Sequence, residues 1–547
     1  MKNILMLVGM MPVLCLGCKK NSSSPNHPPS IQQVSVQLLA DSPAFTFQFV
    51  ATATDQDLQP ISYVWDFGDG TQIEDGPQQT HRFAPGKNYT VEVKATDGQL
   101  FSAAYPIQIS TQTTQVMIDL TQSHQTIDGL GGFGMQNQTW TDGPFADQRY
   151  INDLLNDLGL SMIRVDLPHN FELHPGYFNI DTPAEGRQPL KTYFPFLQAM
   201  QQAGVKIIAS VWSPPAWMKS NGRIDNGTGN QASAPNYDPN PGPDDNELKL
   251  DMYDDFAHMC AVYVQVLKQQ GIDLYALSIQ NEPRFSEWYE SCVYDGQALH
   301  NLLKIVGDTF QQRGYTTKLF IPEDIGWLDG IKGMVMPSLQ DPATLPYVGA
   351  IAVHGYAFDG VTANSPDAQT WQTMYSWGAP YGIPLWMTET SGFSNDWNGA
   401  MSLAKAMYTA FRFGNISAWL FWTISTSQID AYSLMDVNGN KSLRYYVSKN
   451  FYKYVRPGYV RADASVADTG KHIYPLVFKD PQGRHVTVIL INDGTDQAVQ
   501  LSGNGLPSQF VQYLTSEHAK FDSVGTVSSS QAILLPASSV TTLYGTY

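Results

Sequence analysis

The sequence predicts an α/β protein built around a (β/α)8 barrel with a side β-sandwich, and a separate all-β unit ahead of it. Three observations carry that expectation. Between residues 126 and 451, amphipathic helices repeatedly end on a glycine and run straight into an apolar strand, as in "LLNDLGLSMIRVDL" and "LQAMQQAGVKIIASVW". On either side, short segments alternate apolar and polar residues between turns rich in Asp, Gly and Pro, as in "NYTVEVKATDG" and "HVTVILIND". A chain of 547 residues is also too long for one ordinary domain.

The chain opens on Lys2 and a largely apolar run, Ile4 to Leu16, too short for a membrane-spanning helix. The run closes on "LCLGCKK", where Gly17 and Cys18 resemble the cleavage and lipidation site of bacterial lipoproteins. That resemblance implies a signal peptide over residues 1–17, a lipid on Cys18 and a place on the bacterial cell envelope, at the outer membrane or cell surface. Plain secretion is the alternative. Residues 18–30 are a polar Ser/Pro tether with nothing to build a core. Residues 31–112 form the first β unit, whose "YVWDFGDGT" resembles PKD domains. The resemblance implies an immunoglobulin-like β-sandwich that serves as a spacer or weak binding module. Asp66, Asp69 and Asp97 are the acids a calcium site there would draw on, although the first two read more simply as turn-formers.

Residues 126–451 carry the helix–strand repeat. Gly159, Gly204, Gly271, Gly314, Gly382 and Gly414 sit where a left-handed helix cap is wanted. The strands are almost continuously apolar, as expected when both faces of a parallel sheet are covered. With "GGFGMQN" and "VGAIAVHGY" included they number eight, which favours a closed barrel over an open doubly wound sheet. Residues 113–125, containing "TQVMIDLT", and residues 452–547 return to β character and are expected to form the side β-sandwich together.

Composition excludes several functions. Net charge is −18 and no basic stripe is present, so nucleic acid is not an expected partner. An acidic, aromatic-rich surface suits a neutral sugar ligand. No Cys or His spacing fits a metal site, and neither metal nor cofactor is expected. Cys260 and Cys292 either form a bridge or are buried free thiols. "GLGGFG" matches a dinucleotide fingerprint by letter, but the polar, turn-rich "MQNQTWTDGPF" follows instead of a helix. Its glycines fit close packing of the first barrel strand better.

Chemistry in such barrels sits at the C-terminal ends of the strands. Read in order, those ends carry Gln136 and Asn137; Arg164, Asp166 and His169; Trp212 and Trp217; Asn281 and Glu282; Glu323; His354 and Tyr356; Glu389; and Trp422. Glu282 and Glu389 close strands 4 and 7, on opposed sides of the mouth. Two carboxylates flanking a pocket are what glycoside cleavage requires: one protonated to donate to the leaving oxygen, one ionised to attack the sugar. Nearby tryptophans offer flat apolar faces to sugar rings. Glu323, in "IPED", reads as a supporting or helix-opening carboxylate.

"TIDGLGGFGMQNQTW", "SVWSPPAWMKSNG", "LSIQNEP", "VHGY", "MTETSG" and "YKYVRPGYVRADA" together resemble glycoside hydrolase family 30, in order and from about residue 115 onward. The resemblance implies a retaining glycosidase with Glu282 as acid/base and Glu389 as nucleophile. Asn281 would bond the sugar 2-hydroxyl and Tyr356 would orient the nucleophile. It implies a polysaccharide substrate, handled by a monomer. "KSLRYYVSKNFYKYVRPG" is similar to the segment with which the family's glucuronoxylanases hold a glucuronate branch, which points to Arg444 and Tyr446 as further substrate contacts; the other reading of Arg444 is an ion pair that ties the strand-8 loop. Tyr445 stands between them where Gly is usual. An endo-β-1,4-xylanase of the glucuronoxylanase type is therefore expected, with substrate contacts from Trp212, Trp217, His354 and Trp422 as well. The alternatives are a β-1,6-glucanase, a β-1,6-galactanase or a glucosylceramidase-like β-glucosidase. A non-catalytic glycan-binding lipoprotein is the alternative of another class. The long polar loop from Asn221 to Glu247 follows strand 3 and is expected to overhang the cleft.

Overall fold

The computed structural model describes residues 25–39, 45–135, 143–183, 188–227, 246–357, 361–362 and 365–547. Cys18, Gln136, Asn137 and most of the loop after strand 3 lie outside the described residues. The chain divides into two compact units, Met1–Gln112 and Thr113–Tyr547.

The first unit pairs a three-stranded with a four-stranded antiparallel sheet. Inward positions of the strands put Phe49, Trp65, Val91 and Val93 in a fully buried core, with Phe67 and Phe83 beside them. Asp66 accepts from the Gly68 amide at 2.9 Å and Asp69 from the Thr71 amide at 3.0 Å, so both close the turn. Asp97 caps a different turn, accepting from the Gln99 amide at 2.7 Å and the Leu100 amide at 2.6 Å. Strand Ser62–Asp66 runs antiparallel to Asn88–Thr96, with Ser62 opposite Thr96 and Asp66 opposite Glu92. Asp97 therefore lies at the far end from Asp66 and Asp69, and the three acids do not form one site.

The second unit holds a closed eight-stranded parallel barrel in strict sequence order. Its strands are β1 (Gly129–Phe133), β2 (Met162–Leu167), β3 (Lys206–Val211), β4 (Leu274–Ser278), β5 (Lys318–Ile325), β6 (Val348–His354), β7 (Leu385–Thr390) and β8 (Ala418–Phe421). Gly159, Gly204, Gly271, Gly314 and Gly382 have the left-handed φ expected of helix caps. Gly414 does not. It is helical at φ −83°, and the next residue, Asn415, takes the left-handed turn at φ 43°. Glycine is required at 414 for room, since a Cβ would meet the Trp371 ring at 2.8 Å. At Gly131 a Cβ would lie 1.8 Å from the Met162 carbonyl oxygen, so β1 and β2 close only because that glycine is there.

Alternation along each strand stacks the barrel interior in layers. Met162, Ile208, Ala276, Phe320, Ala352, Trp386 and Leu420 fill the lower layers and form one apolar cluster. Two residues further along the same strands stand Arg164, Ser210, Ser278, His354 and Trp422. The barrel is therefore dry below and polar at its C-terminal face. Beside it, strand Thr113–Thr126 is hydrogen-bonded between Val460–Val466 and Gln497–Ser502 in a nine-stranded sheet. Val116, Val488, Leu490, Phe510 and Leu535 join in one core of that sheet. Cys260 and Cys292 are both buried free thiols.

Candidate active site

The polar layer is organised by Arg164, a wholly buried cation in the middle of strand β2. Burying a guanidinium is costly unless every face is answered. Here Nη1 donates to Glu389 Oε2 at 2.7 Å and Nη2 to Asn281 Oδ1 at 2.6 Å. Nε lies 2.9 Å from Ser210 Oγ and 2.6 Å from Glu323 Oε1. The flat cation sits beneath the Trp212 ring, 4.5 Å from its centroid. Arg164 thus joins the ends of β2, β3, β4, β5 and β7. Its sequence signal is an arginine flanked by Ile163 and Val165 inside a barrel strand, which is hard to explain as packing.

Barrel closure brings Glu282 and Glu389 together. His354 Nδ1 lies 2.9 Å from Glu282 Oε1 and 3.6 Å from Glu389 Oε2. An oxygen of each glutamate and a nitrogen of His354 all lie within 4.8 Å of one another. The strand register pairs His354 directly with Glu389. Tyr356 donates its hydroxyl to Glu389 Oε1, so both oxygens of that carboxylate have donors. Glu282 and Glu323 both adopt left-handed backbone, at φ 46° and 57°. The Glu282 amide donates to the Glu323 carbonyl at 2.8 Å, which fixes the tip of β4 on β5. Strained backbone of this kind persists only where the surroundings enforce it.

The electrostatics separate the acids. Burial pushes the Glu323 carboxyl up, but Arg164 and His354 outweigh it and hold Glu323 below the usual range. Burial and the neighbouring charge of Glu282 leave the Glu389 carboxyl raised, with His354, Arg164 and the Tyr356 hydroxyl opposing that rise. Burial disfavours charge on His354 as well, yet Glu389, Glu282 and Glu323 together lift it to about 10. His354 is therefore an imidazolium at neutral pH. Glu282, His354 and Glu389 form the one potential metal trio among the described residues. In this arrangement His354 bridges the two carboxylates.

Above this layer Phe133, Trp212, Tyr356 and Trp422 form one aromatic cluster, with Tyr289 and Ile325 packed against it. Tyr289 and Glu287, on the segment after β4, are residues the sequence did not single out. Burial and the charge of Glu282 push Glu287 up to about 7. Nothing in "RFSEWYE" distinguishes them by pattern; only the fold of that loop brings them in.

The structure places four of the expected substrate contacts as follows. Arg444 is 1% exposed and its guanidinium donates to four carbonyls, of Phe393, Ser394, Asp430 and Ser433. It has no free face for a glucuronate. Tyr446 is partly buried against the main core, with Lys520 Nζ 6.0 Å from its ring centroid. His354 is wholly buried and reaches the site only through the carboxylates. Trp217 is half-buried against the main core, its indole N–H donating to the Glu172 carbonyl at 3.0 Å, outside the aromatic cluster. Glu323 is a strand residue that braces Arg164 and opens no helix.

Comparison with known proteins agrees with this geometry. Residues 26–109 match the PKD domain model, and residues 121–428 match the model of the cellulase family, glycosyl hydrolase family 5. Glucuronoxylanase XynC of Bacillus subtilis (strain 168) is 26% identical over 443 residues, covering 78% of this chain and 91% of that protein. Endo-1,6-beta-D-glucanase neg1 of Aspergillus fumigatus is 25% identical over 475 residues, covering 76% and 91%. The structure of the glycoside hydrolase family 30 subfamily 8 xylanase Xyn30A from Clostridium acetobutylicum superposes with a TM-score of 0.63 at 24% identity, over 79% of this chain and all of that one. The chain belongs to the cellulase family, glycosyl hydrolase family 5, with a PKD domain preceding the matched region in the sequence.

Proposed function

We propose that the protein is a retaining endo-β-1,4-xylanase in which Glu389 is the nucleophile and Glu282 the acid/base. The observation that carries this is the close, unequally supported carboxylate pair. Retaining glycosidases hold their carboxyl groups about 5–5.5 Å apart, whereas inverting ones leave about 6.5–9.5 Å for a water. Oxygens of Glu282 and Glu389 approach within 4.8 Å. Glu389, with donors on both oxygens, is suited to carry negative charge and attack the anomeric carbon. As that bond forms, the glycosidic bond breaks and Glu282 gives its proton to the leaving oxygen. Glu282 then takes a proton from water, the water oxygen bonds the anomeric carbon, and Glu389 departs. Arg164 is a donor only, so Asn281 meets it with Oδ1 and keeps its amide N–H groups for the sugar 2-hydroxyl. Trp212 and Trp422 form the floor on which the sugar rests.

The xylan reading is supported by the Bacillus glucuronoxylanase, which is matched along nearly its whole length. Arg444 and Tyr446 are engaged elsewhere, so recognition rests on the main chain of the polysaccharide and not on a glucuronate branch. A β-1,6-glucanase is the second reading, favoured by the almost equal identity to the Aspergillus enzyme. The test is hydrolysis of linear xylan, glucuronate-branched xylan and β-1,6-glucan by the wild type and Glu389→Ala. Both xylans should be cut at similar rates with β-configured first products, and the variant should lose at least about 10⁴-fold in turnover. Unchanged turnover by Glu389→Ala, or α-configured products, would end the assignment.

We further infer that Cys18 carries a lipid anchoring the enzyme to the cell envelope. Labelled palmitate should enter the full chain and be absent from Cys18→Ala, which should turn up in the soluble fraction. Label on Cys18→Ala would refute it.

A further inference from the structure

Arg444 is engaged with a loop at the cleft rim. The segment Asp430–Ser433 follows β8, and each of its backbone carbonyls accepts a hydrogen bond. Arg444 donates to Asp430 and Ser433, the Gly392 amide to Ala431 at 2.9 Å, and the Thr423 amide to Tyr432. Asp430 Oδ1 accepts in turn from the Tyr432 amide at 2.8 Å and from Ser433 Oγ at 3.1 Å. A loop so tightly held nevertheless leaves a large aromatic side chain in water. Tyr432 is 41% exposed, and its ring meets that of Tyr356 edge-on with centroids 6.4 Å apart. Tyr356 is the residue that donates to Glu389. A rigid loop thus presents an exposed ring one aromatic contact away from the nucleophile. Flat rings that are pre-positioned and half wet bind apolar sugar faces at little entropic cost.

We propose that Tyr432 is a stacking platform for a pyranose ring of the glycan chain beside the scissile bond, and that Arg444 is the positioning residue that fixes the platform. The proposal rests on the glycosidase reading of Glu282 and Glu389. It gives the buried guanidinium a part in substrate binding without any contact to a carboxylate of the substrate.

The test compares Tyr432→Ala, Tyr432→Phe, Arg444→Lys and Asp430→Ala with the wild type. Substrates are xylohexaose and p-nitrophenyl β-D-xyloside, or the matching hexamer and aryl glycoside of whichever polysaccharide the wild type cuts. Tyr432→Ala should raise KM for the hexamer about five- to tenfold, with a smaller change in kcat, while Tyr432→Phe keeps the wild-type value. Asp430→Ala and Arg444→Lys should raise the same KM, and neither should add to the loss in a double variant with Tyr432→Ala. Asp430 is exposed, so its variant loosens the loop without disturbing a buried charge if Arg444→Lys does not fold. A hexamer KM within about twofold of wild type in Tyr432→Ala would overturn the platform. Additive losses in the double variants would overturn the positioning role. A wild type that cuts no member of the panel would overturn the glycosidase reading and the platform with it. Cleavage with an unmoved Tyr432→Ala KM would overturn the platform alone.

Discussion

The two ends of the barrel bury carboxylates in opposite ways. At the N-terminal end, Asp128 is held by Lys206 Nζ at 3.2 Å, Tyr275 OH at 3.0 Å, Trp386 Nε1 at 3.0 Å and Ser417 Oγ at 3.0 Å. One acid meets one cation and three neutral donors directly, and a second cation, Lys318, donates to the Tyr275 hydroxyl at 3.1 Å. Burial raises its carboxyl, but Lys206, the Trp386 indole and the Ser417 hydroxyl prevail and hold it low. At the C-terminal end, Glu282, Glu323 and Glu389 share Arg164 and His354, and the second cation exists only while His354 keeps its proton. The lower site is saturated, so it stabilises. The upper site depends on proton occupancy, so it can do chemistry. Carboxylates and cations meet at both ends, and the ratio of acids to permanent cations decides which role follows.

The comparison can be broken most directly at Arg164. Arg164→Met leaves buried carboxylates without their permanent cation and should cost about 3–5 kcal/mol of stability and essentially all activity, read by denaturant unfolding and kcat. A folded, active Arg164→Met would remove the organising role assigned to it. Asp128→Asn should cost about 1–3 kcal/mol in the same unfolding experiment and leave kcat/KM unchanged, because it lies at the stability face. A selective loss of activity there would erase the contrast between the ends.

A smaller effect sharpens the proton argument. His354 is raised from an ordinary value of about 6.5 to about 10, so its contribution to stability is complete below about 6.5 and is lost as pH climbs through about 10. The wild type should therefore lose thermal stability and activity on the alkaline side. His354→Gln should flatten that limb of the Tm profile between pH 7 and 10, at a lower overall Tm. An unaltered alkaline limb in the variant would mean another group carries the proton.

Much of this was legible beforehand because it rests on local pattern. The apolar run from Leu274 to Ile279, closed by Asn281 and Glu282, places a carboxylate at a strand tip whatever surrounds it. The same holds for Glu389 after "LWM". Arg444 carries a second signal, in its helical spacing, that favours the reading in which it ties the strand-8 loop. Arg444, Val447, Ser448 and Phe451 are spaced as one helical stripe and are all buried, so the guanidinium had to point inward. Resemblance of the segment suggested the cleft, while periodicity pointed to the core, and periodicity described the packing.

By itself the sequence determined the repeat of helix, cap and strand, the closure into a barrel, and the strand tips that carry Glu282 and Glu389, since these follow from periodicities of two and 3.6 residues. Only the tertiary structure decided who stands beside whom. The register that sets His354 against Glu389, the burial that makes it an imidazolium, and the carbonyls that occupy Arg444 depend on residues far apart in the chain. Contacts of that kind are made by barrel closure and loop packing, and no local pattern encodes them.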